Sequence, residues 1–224
     1  MATPLNLEEQ EQLDQFKHFW SRYGSLITWV LIAVLGGFAA WAGWSFWQRS
    51  QGAQAAVLYE EIERAALAND TERMQRALTQ IKDSYGRSIF AAQAALLAGR
   101  VQFEAGRPED ARSALNWVLT ESNNPSYQAV ARLRLAGLDI EAQAFEQALL
   151  TLQAEVPPAF VPLLADRRGD VLMAQGKPAE AQAQYLIAWR GMSERTEYRR
   201  LVEVKLAALG VDVATLPAVQ EAAS

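Results

Sequence analysis

The stretch AALLAGRVQFEAGRPEDARSAL, residues 94–115, decides the fold, because it returns twice, as ARLRLAGLDIEAQAFEQALLTL at 131–152 and LADRRGDVLMAQGKPAEAQAQY at 164–185. Ala111, Ala148 and Ala181 hold equivalent places, as do Leu115, Leu152 and Tyr185, at steps of 37 and 33 residues. A more degenerate copy lies a further 37 residues upstream, with Met74 and Leu78 in those places. Self-similarity at this period predicts an array of four helix–turn–helix units.

Each unit can be read physically. Gly106 and Gly176 supply the left-handed residue that ends a first helix, and Pro108 and Pro178 start the second where a missing N–H is no loss. Small residues let the two helices cross closely: Gly99, Ala136 and Gly169 in the first helices, Ala111, Ala148 and Ala181 in the second. One hairpin cannot bury its apolar face alone, so the units stack into a curved solenoid whose concave side is lined mainly by first helices. Breakers between units fall at 82–88, 120–125 and 154–162. Residues 193–211 read as a final amphipathic helix that closes the array, with Leu201, Val204, Leu206 and Leu209 apolar and Lys205 among its polar residues.

Composition agrees with an all-α chain. Of 224 residues 40 are alanine, the best helix former. The formal charge of -5 speaks against nucleic acid as a partner. With no cysteine and one histidine, His18, the chain offers neither a disulfide nor the usual zinc or nucleophile arrangements, so no enzyme activity and no cofactor are expected. His18, near Phe16 and Trp20, reads as a surface-seeking aromatic.

Ahead of the repeats lies LITWVLIAVLGGFAAWAGWSFW, residues 26–47, with no charge between Tyr23 and Gln48. As a helix its apolar run spans roughly 33 Å, enough for a bilayer core of about 30 Å. Trp20, Tyr23 and Trp29 mark one end and Trp41, Trp44 and Trp47 the other, where aromatic rings favour the lipid headgroups. Glu8, Glu9, Glu11 and Asp14 before the run argue for an uncleaved anchor over a signal peptide. Lys17 and Arg22 before the run, against Arg49 after it, put the N-terminus in the cytoplasm. Ala33, Gly36, Gly37 and Ala40 have the spacing at which membrane helices approach closely, which allows a homodimer or a partner helix. Residues 5–19, with Leu5, Leu13, Phe16 and Phe19 apolar, are either a contact for a cytosolic partner or a disordered lead-in.

The expected organisation is a cytoplasmic tail at 1–22, a single transmembrane helix at 23–48, a repeat domain at 49–211 and a flexible tail at 212–224. Projecting the repeat onto the first helices places Tyr59, Gln93, Arg100, Phe103, Arg134, Asp166, Asp170 and Met173 near a partner-binding groove. Phe103 and Met173 serve equally well as core residues. Asp166, Arg167, Arg168 and Asp170 lie within about one helical turn, so opposite charges meet there. That cluster reads first as a structural ion-pair set and second as a recognition patch.

The units resemble the tetratricopeptide repeat in their first-helix glycine, Gly-x-Pro turn and second-helix alanine. They depart from it in lacking its tryptophan and its tyrosine, with Gln102 and Leu172 at the tyrosine positions. Phe16-Lys17-His18-Phe19-Trp20, Gly43-Trp44-Ser45-Phe46-Trp47, Tyr85-Gly86 and Leu164-Ala165-Asp166-Arg167-Arg168-Gly169-Asp170 resemble the YfgM-type ancillary SecYEG translocon subunits of Gram-negative bacteria. The resemblance implies a non-enzymatic inner-membrane protein with a tetratricopeptide-like α-solenoid in the periplasm. Its implied partners are the SecYEG translocon, a PpiD-type periplasmic chaperone and precursor proteins, with membrane lipid around the span. Two other readings stand beside it: a regulator whose cytoplasmic tail restrains a signalling protein, and a scaffold for another envelope complex.

Overall fold

The computed structural model describes residues 7–216, with side chains given for 20–26, 28–46 and 50–216. Residues 1–6 and 217–224, and the side chains of Leu13, Phe16, Lys17, His18, Phe19, Trp47 and Arg49, lie outside the described residues. Nine α-helices follow one another among them: α1 (Leu7–Leu67), α2 (Thr71–Tyr85), α3 (Ile89–Glu104), α4 (Pro108–Glu121), α5 (Pro125–Glu141), α6 (Phe145–Leu152), α7 (Val161–Ala174), α8 (Pro178–Gly191) and α9 (Glu197–Ala208). Short 3-10 turns occupy Pro158–Phe160 and Val213–Thr215, and no strand occurs among the described residues. The contacts divide the chain into two compact units, Met1–Gln51 and Gly52–Ser224.

In the first unit, α1 is the one helix among the described residues that is long and apolar enough to cross a membrane, with a mean hydropathy of 2.0 over its best window. The large side chains described in this run are exposed, from Leu26 and Trp29 to Trp44 and Phe46. The two hydroxyl residues there fold back on the helix: Thr28 Oγ1 donates to the Gly24 carbonyl at 2.7 Å and Ser45 Oγ to the Ala42 carbonyl at 3.3 Å. Neither therefore presents an unsatisfied polar group to an apolar surrounding. Ala33, Gly36, Gly37 and Ala40 are exposed, and a Cβ at Gly36 or Gly37 would meet nothing within 4 Å.

The second unit holds four helical hairpins: the end of α1 with α2, then α3/α4, α5/α6 and α7/α8. Their turns share one construction. Asn69, Gly106, Gln143 and Gly176 all have positive φ, 54°, 72°, 57° and 73°. The next amide reaches back five residues: Asp70 to Ala65, Arg107 to Gln102, Ala144 to Asp139 and Lys177 to Leu172, at 2.8–2.9 Å. This closes the orphan carbonyls of each first helix. The second helices then start on Pro108 and Pro178, or on the Asp70 carboxylate, which accepts from the Arg73 amide at 2.9 Å. Sequence showed the two glycine turns; Asn69 and Gln143 adopt the same left-handed state without a glycine, because the surrounding helices fix the turn. Gln143→Gly relieves that conformation and is expected to stabilise the domain by about 0.5–1 kcal/mol, read as a raised denaturation midpoint.

Stacking buries Ala111, Ala148 and Ala181 completely, each at 0% exposure, in three successive apolar clusters along the array. Two seams between units also carry buried polar groups at one repeat position. Gln102 on α3 donates through Nε2 to Gln75 Oε1 on α2 at 2.7 Å, and Asp139 on α5 pairs with Arg112 on α4 at 2.6 Å. Gln102 and Asp139 are each 1% exposed. They stand where the tetratricopeptide pattern has its tyrosine, so the departure in sequence is a polar bridge in structure.

The end of the domain differs from expectation. The final helix is shorter than 193–211 and its inward face is only partly the expected one: Leu206 is buried and Leu209 packs beside it, but Val202 completes the face, whereas Leu201 and Val204 are exposed. Lys205, read as a solvent residue, points into the fold. Residues 212–216, read as part of a flexible tail, contain the Val213–Thr215 turn, and Val213 and Leu216 pack on the cluster around Val202 and Leu206. Two apolar residues suffice there because the turn folds back over an existing core and needs no stripe of its own.

Candidate functional site

First helices of neighbouring units touch one another, α3 with α5 and α5 with α7, more closely than second helices do. A helical array of that kind curves toward its first helices, and their shared face is the candidate binding surface. Two clefts open on it. One, of about 240 Å3, is lined by Arg100 and Phe103 of α3, Leu115 of α4, Leu133, Arg134 and Glu141 of α5 and Arg167 of α7. The other, of about 460 Å3, lies between the end of α1, the start of α2 and α3, and shares Arg100.

Three of the eight groove candidates, Arg100, Phe103 and Arg134, therefore come together in one cleft. Phe103 is 37% and Met173 41% exposed, so both are surface residues at the rim of their helices. Tyr59 stacks obliquely near Phe90, with ring centroids 5.9 Å apart, and Gln93 Nε2 donates to the Tyr127 hydroxyl at 2.8 Å, tying α3 to α5. Asp166 is not available on this face. It is 1% exposed and occupied on both oxygens, by Lys205 Nζ at 2.7 Å and the Tyr198 hydroxyl at 2.7 Å. Asp170 is half-buried in the same network, accepting from Lys205 Nζ at 2.6 Å and the Tyr185 hydroxyl at 2.9 Å.

The charged cluster on α7 is thus a structural junction of α7, α8 and α9. Arg167 pairs with Asp170 at 3.6 Å, and Arg168 donates to the Leu152 carbonyl at 2.6 Å, closing the end of α6. Sequence showed the acids and arginines of α7 but not their partners Tyr198 and Lys205, 32 and 39 residues distant from Asp166. Sequence also missed Leu133 and Glu141 as cleft residues, and offered Arg167 only within the charge cluster of α7; the available signal was arginine at 134 and 167, one repeat step of 33 residues apart. Among the described residues no three His, Cys, Asp or Glu converge to hold a metal ion.

Burial and the hydrogen bonds to Asp170 and Asp166 hold the Tyr185 and Tyr198 hydroxyls well above the ordinary 10.0 of tyrosine. Both stay neutral in the folded state at a pH where the unfolded chain ionises. The stability they lend is complete below about pH 10 and is lost as pH rises beyond it. Denaturation midpoints measured at rising pH should fall steeply above about pH 10, and more gently in the Tyr185→Phe/Tyr198→Phe double variant.

A family model described as a tetratricopeptide repeat-like domain matches residues 17–211. An Ancillary SecYEG translocon subunit of Neisseria gonorrhoeae is 34% identical over 205 residues, covering 91% of this chain and 98% of its own. The chain belongs to this family. Further ancillary SecYEG translocon subunits are similar at lower identity. That of Haemophilus influenzae is 24% identical over 180 residues, 80% of this chain and 88% of its own, and that of Escherichia coli 23% over 180 residues, 79% and 85%. No solved structure matches the chain. The family model begins ahead of the apolar run of α1 and ends beyond α9, so the match takes in that run and the repeat array together.

Proposed function

We propose that the chain is a non-enzymatic accessory subunit of the Sec translocon, anchored in the inner membrane and carrying a repeat domain that binds polypeptides on its first-helix face. The observation that carries this reading is the end-to-end similarity to a subunit named for that translocon. The apolar run of α1 supports the anchor at 23–48, and Lys17 and Arg22 against Arg49 support a periplasmic domain at 49–211. The small residues Ala33, Gly36, Gly37 and Ala40 offer the close approach that a partner helix, or a second copy, needs in lipid. The clefts beside Arg100 would take a periplasmic chaperone of the PpiD type or a precursor as it emerges. Confinement to the membrane raises the effective concentration of that surface near the channel, so weak contacts suffice.

Site-specific photo-crosslinking in native membranes tests it, with probes at Arg100 and Phe103 in the clefts and at Gly37 in the span. Adducts from Gly37 to the Sec channel and from Arg100 or Phe103 to a chaperone or precursor are expected. Adducts to cytosolic proteins alone would overturn the periplasmic reading, and cleft probes that capture nothing would leave the domain a spacer.

A further inference from the structure

We propose that the cleft between α3, α5 and α7 recognises an acidic-apolar segment of polypeptide, holding a side-chain carboxylate between Arg134 and Arg100 and the neighbouring apolar side chain against Phe103 and Leu133. This rests on the reading of the first-helix face as a polypeptide-binding surface and names the chemistry it selects.

Successive first helices bring three cations together: Arg134 and Arg167 hold equivalent repeat positions 33 residues apart, Arg100 stands about one helical turn beyond that register on α3, and all three line one cleft. Their charges are unequally answered. Arg100 has Glu104 at 3.8 Å in an exposed pair, and Arg167 has Asp170 at 3.6 Å. Arg134 has no carboxylate within 4.0 Å among the described residues; one of its terminal nitrogens donates to the Leu96 carbonyl at 2.5 Å, which fixes the side chain without neutralising it. Burial and the charge of Arg100 both disfavour its protonated form, with Glu104 opposing them. An arriving carboxylate relieves that repulsion and meets a planar fork suited to two parallel hydrogen bonds.

The apolar half of the site is Phe103, 37% exposed, beside Leu133. The volume of about 240 Å3 admits side chains and not the face of a folded domain. The lining sets Glu141 beside its three arginines, and Glu104 and Asp170 answer Arg100 and Arg167, so Arg134 is the cation left for an incoming carboxylate. Charge complementarity at Arg134 therefore selects a segment carrying an isolated carboxylate, and the acids around it weaken attraction to densely anionic surfaces.

The test uses the full chain in zwitterionic phosphatidylcholine nanodiscs and fluorescein-labelled, C-terminally amidated peptides of repeating Asp-Leu-Gly, Asn-Leu-Gly or Asp-Ser-Gly. Anisotropy titrations should give about tenfold tighter binding of the Asp-Leu peptide than of either other. That preference over the Asn-Leu peptide should shrink between about 50 mM and about 300 mM salt. Arg134→Gln should remove the preference and leave the Asn-Leu affinity as it was; Arg100→Gln, at an exposed position, is a second variant that spares the bond to Leu96. Equal binding of Asp-Leu and Asn-Leu peptides overturns the acidic selectivity while leaving an apolar polypeptide groove. Binding of none of the three overturns the proposal, and the crosslinks from Arg100 and Phe103 then decide the broader reading separately.

Discussion

Lys205→Met is expected to cost about 3 kcal/mol. The Lys205 ammonium is shared between Asp166 at 2.7 Å and Asp170 at 2.6 Å, and the Asp166 side chain is almost wholly buried. Removing the cation leaves two carboxylates one turn apart on α7, with Arg167 at 3.6 Å from Asp170 as the remaining counter-charge. The tyrosine hydroxyls on both acids donate hydrogen bonds but carry no charge. Leaving a buried charge unpaired costs several times more than an exposed pair is worth, and the partial exposure of Lys205 and Asp170 sets the figure at the low end of that range. Urea denaturation of the full chain in detergent, with hydrogen exchange of α7 to α9 as the local readout, measures it. Adding Asp166→Asn and Asp170→Asn to the same variant should recover more than half of the loss. A cost below about 1 kcal/mol would mean that Val202 and Leu206 hold α9 unaided.

Gly169→Ala is expected to destabilise by about 2–3 kcal/mol. A Cβ at Gly169 would stand far inside van der Waals contact with the Tyr185 ring. The ring has little freedom to retreat, because its hydroxyl is bonded to Asp170 and the Lys205 ammonium lies 5.1 Å from its centroid. The equivalent glycine, Gly99, faces Cδ2 and Cγ of the buried Leu115 at 2.9 Å, an aliphatic side chain with no polar tether, so Gly99→Ala should cost less than Gly169→Ala, about 1 kcal/mol. The third unit shows why: there Ala136 is accommodated beside Leu152, both completely buried in one cluster. Tyr185→Leu should accordingly rescue Gly169→Ala in part, making the double variant more stable than Gly169→Ala alone. Strictly additive effects would show that the two side chains do not share the space.

The repeat was legible in the sequence because alanines, glycines and prolines recur at a fixed step, and the four hairpins, their turns and the buried Ala111, Ala148 and Ala181 follow from it. Two kinds of information were not periodic and stayed hidden. Gln143 adopts a left-handed turn that its residue type does not announce, and Asn69, a type that favours that state, ends its helix without the Gly-x-Pro pattern of the turns at Gly106 and Gly176. The inward face of α9 was partly misread because its burial depends on α7: Lys205 looks solvent-seeking until Asp166 and Asp170 are placed opposite it. The same dependence removed Asp166 from the groove. An aspartate on a first helix reads as exposed by repeat position alone, and its partners lie in a helix outside the repeat. The cleft arginines were visible singly, while their convergence required the contacts among α3, α5 and α7.

The buried polar bridges between units have a further consequence. Four hairpins of similar construction present apolar faces rich in alanine and leucine, and those residues alone do little to tell one hairpin from the next. The seams differ in polar identity: an amide pair at Gln75 and Gln102, an ion pair at Arg112 and Asp139, an arginine on the Leu152 carbonyl, and the acid–lysine–tyrosine junction at α9. A hairpin docked in the wrong place would bury Asp139 opposite an amide, or Gln102 opposite an arginine, and leave a buried group unanswered. The bridges thus act as addresses: each is satisfied by its own neighbour, so a misdocked hairpin is penalised where apolar packing alone would tolerate it.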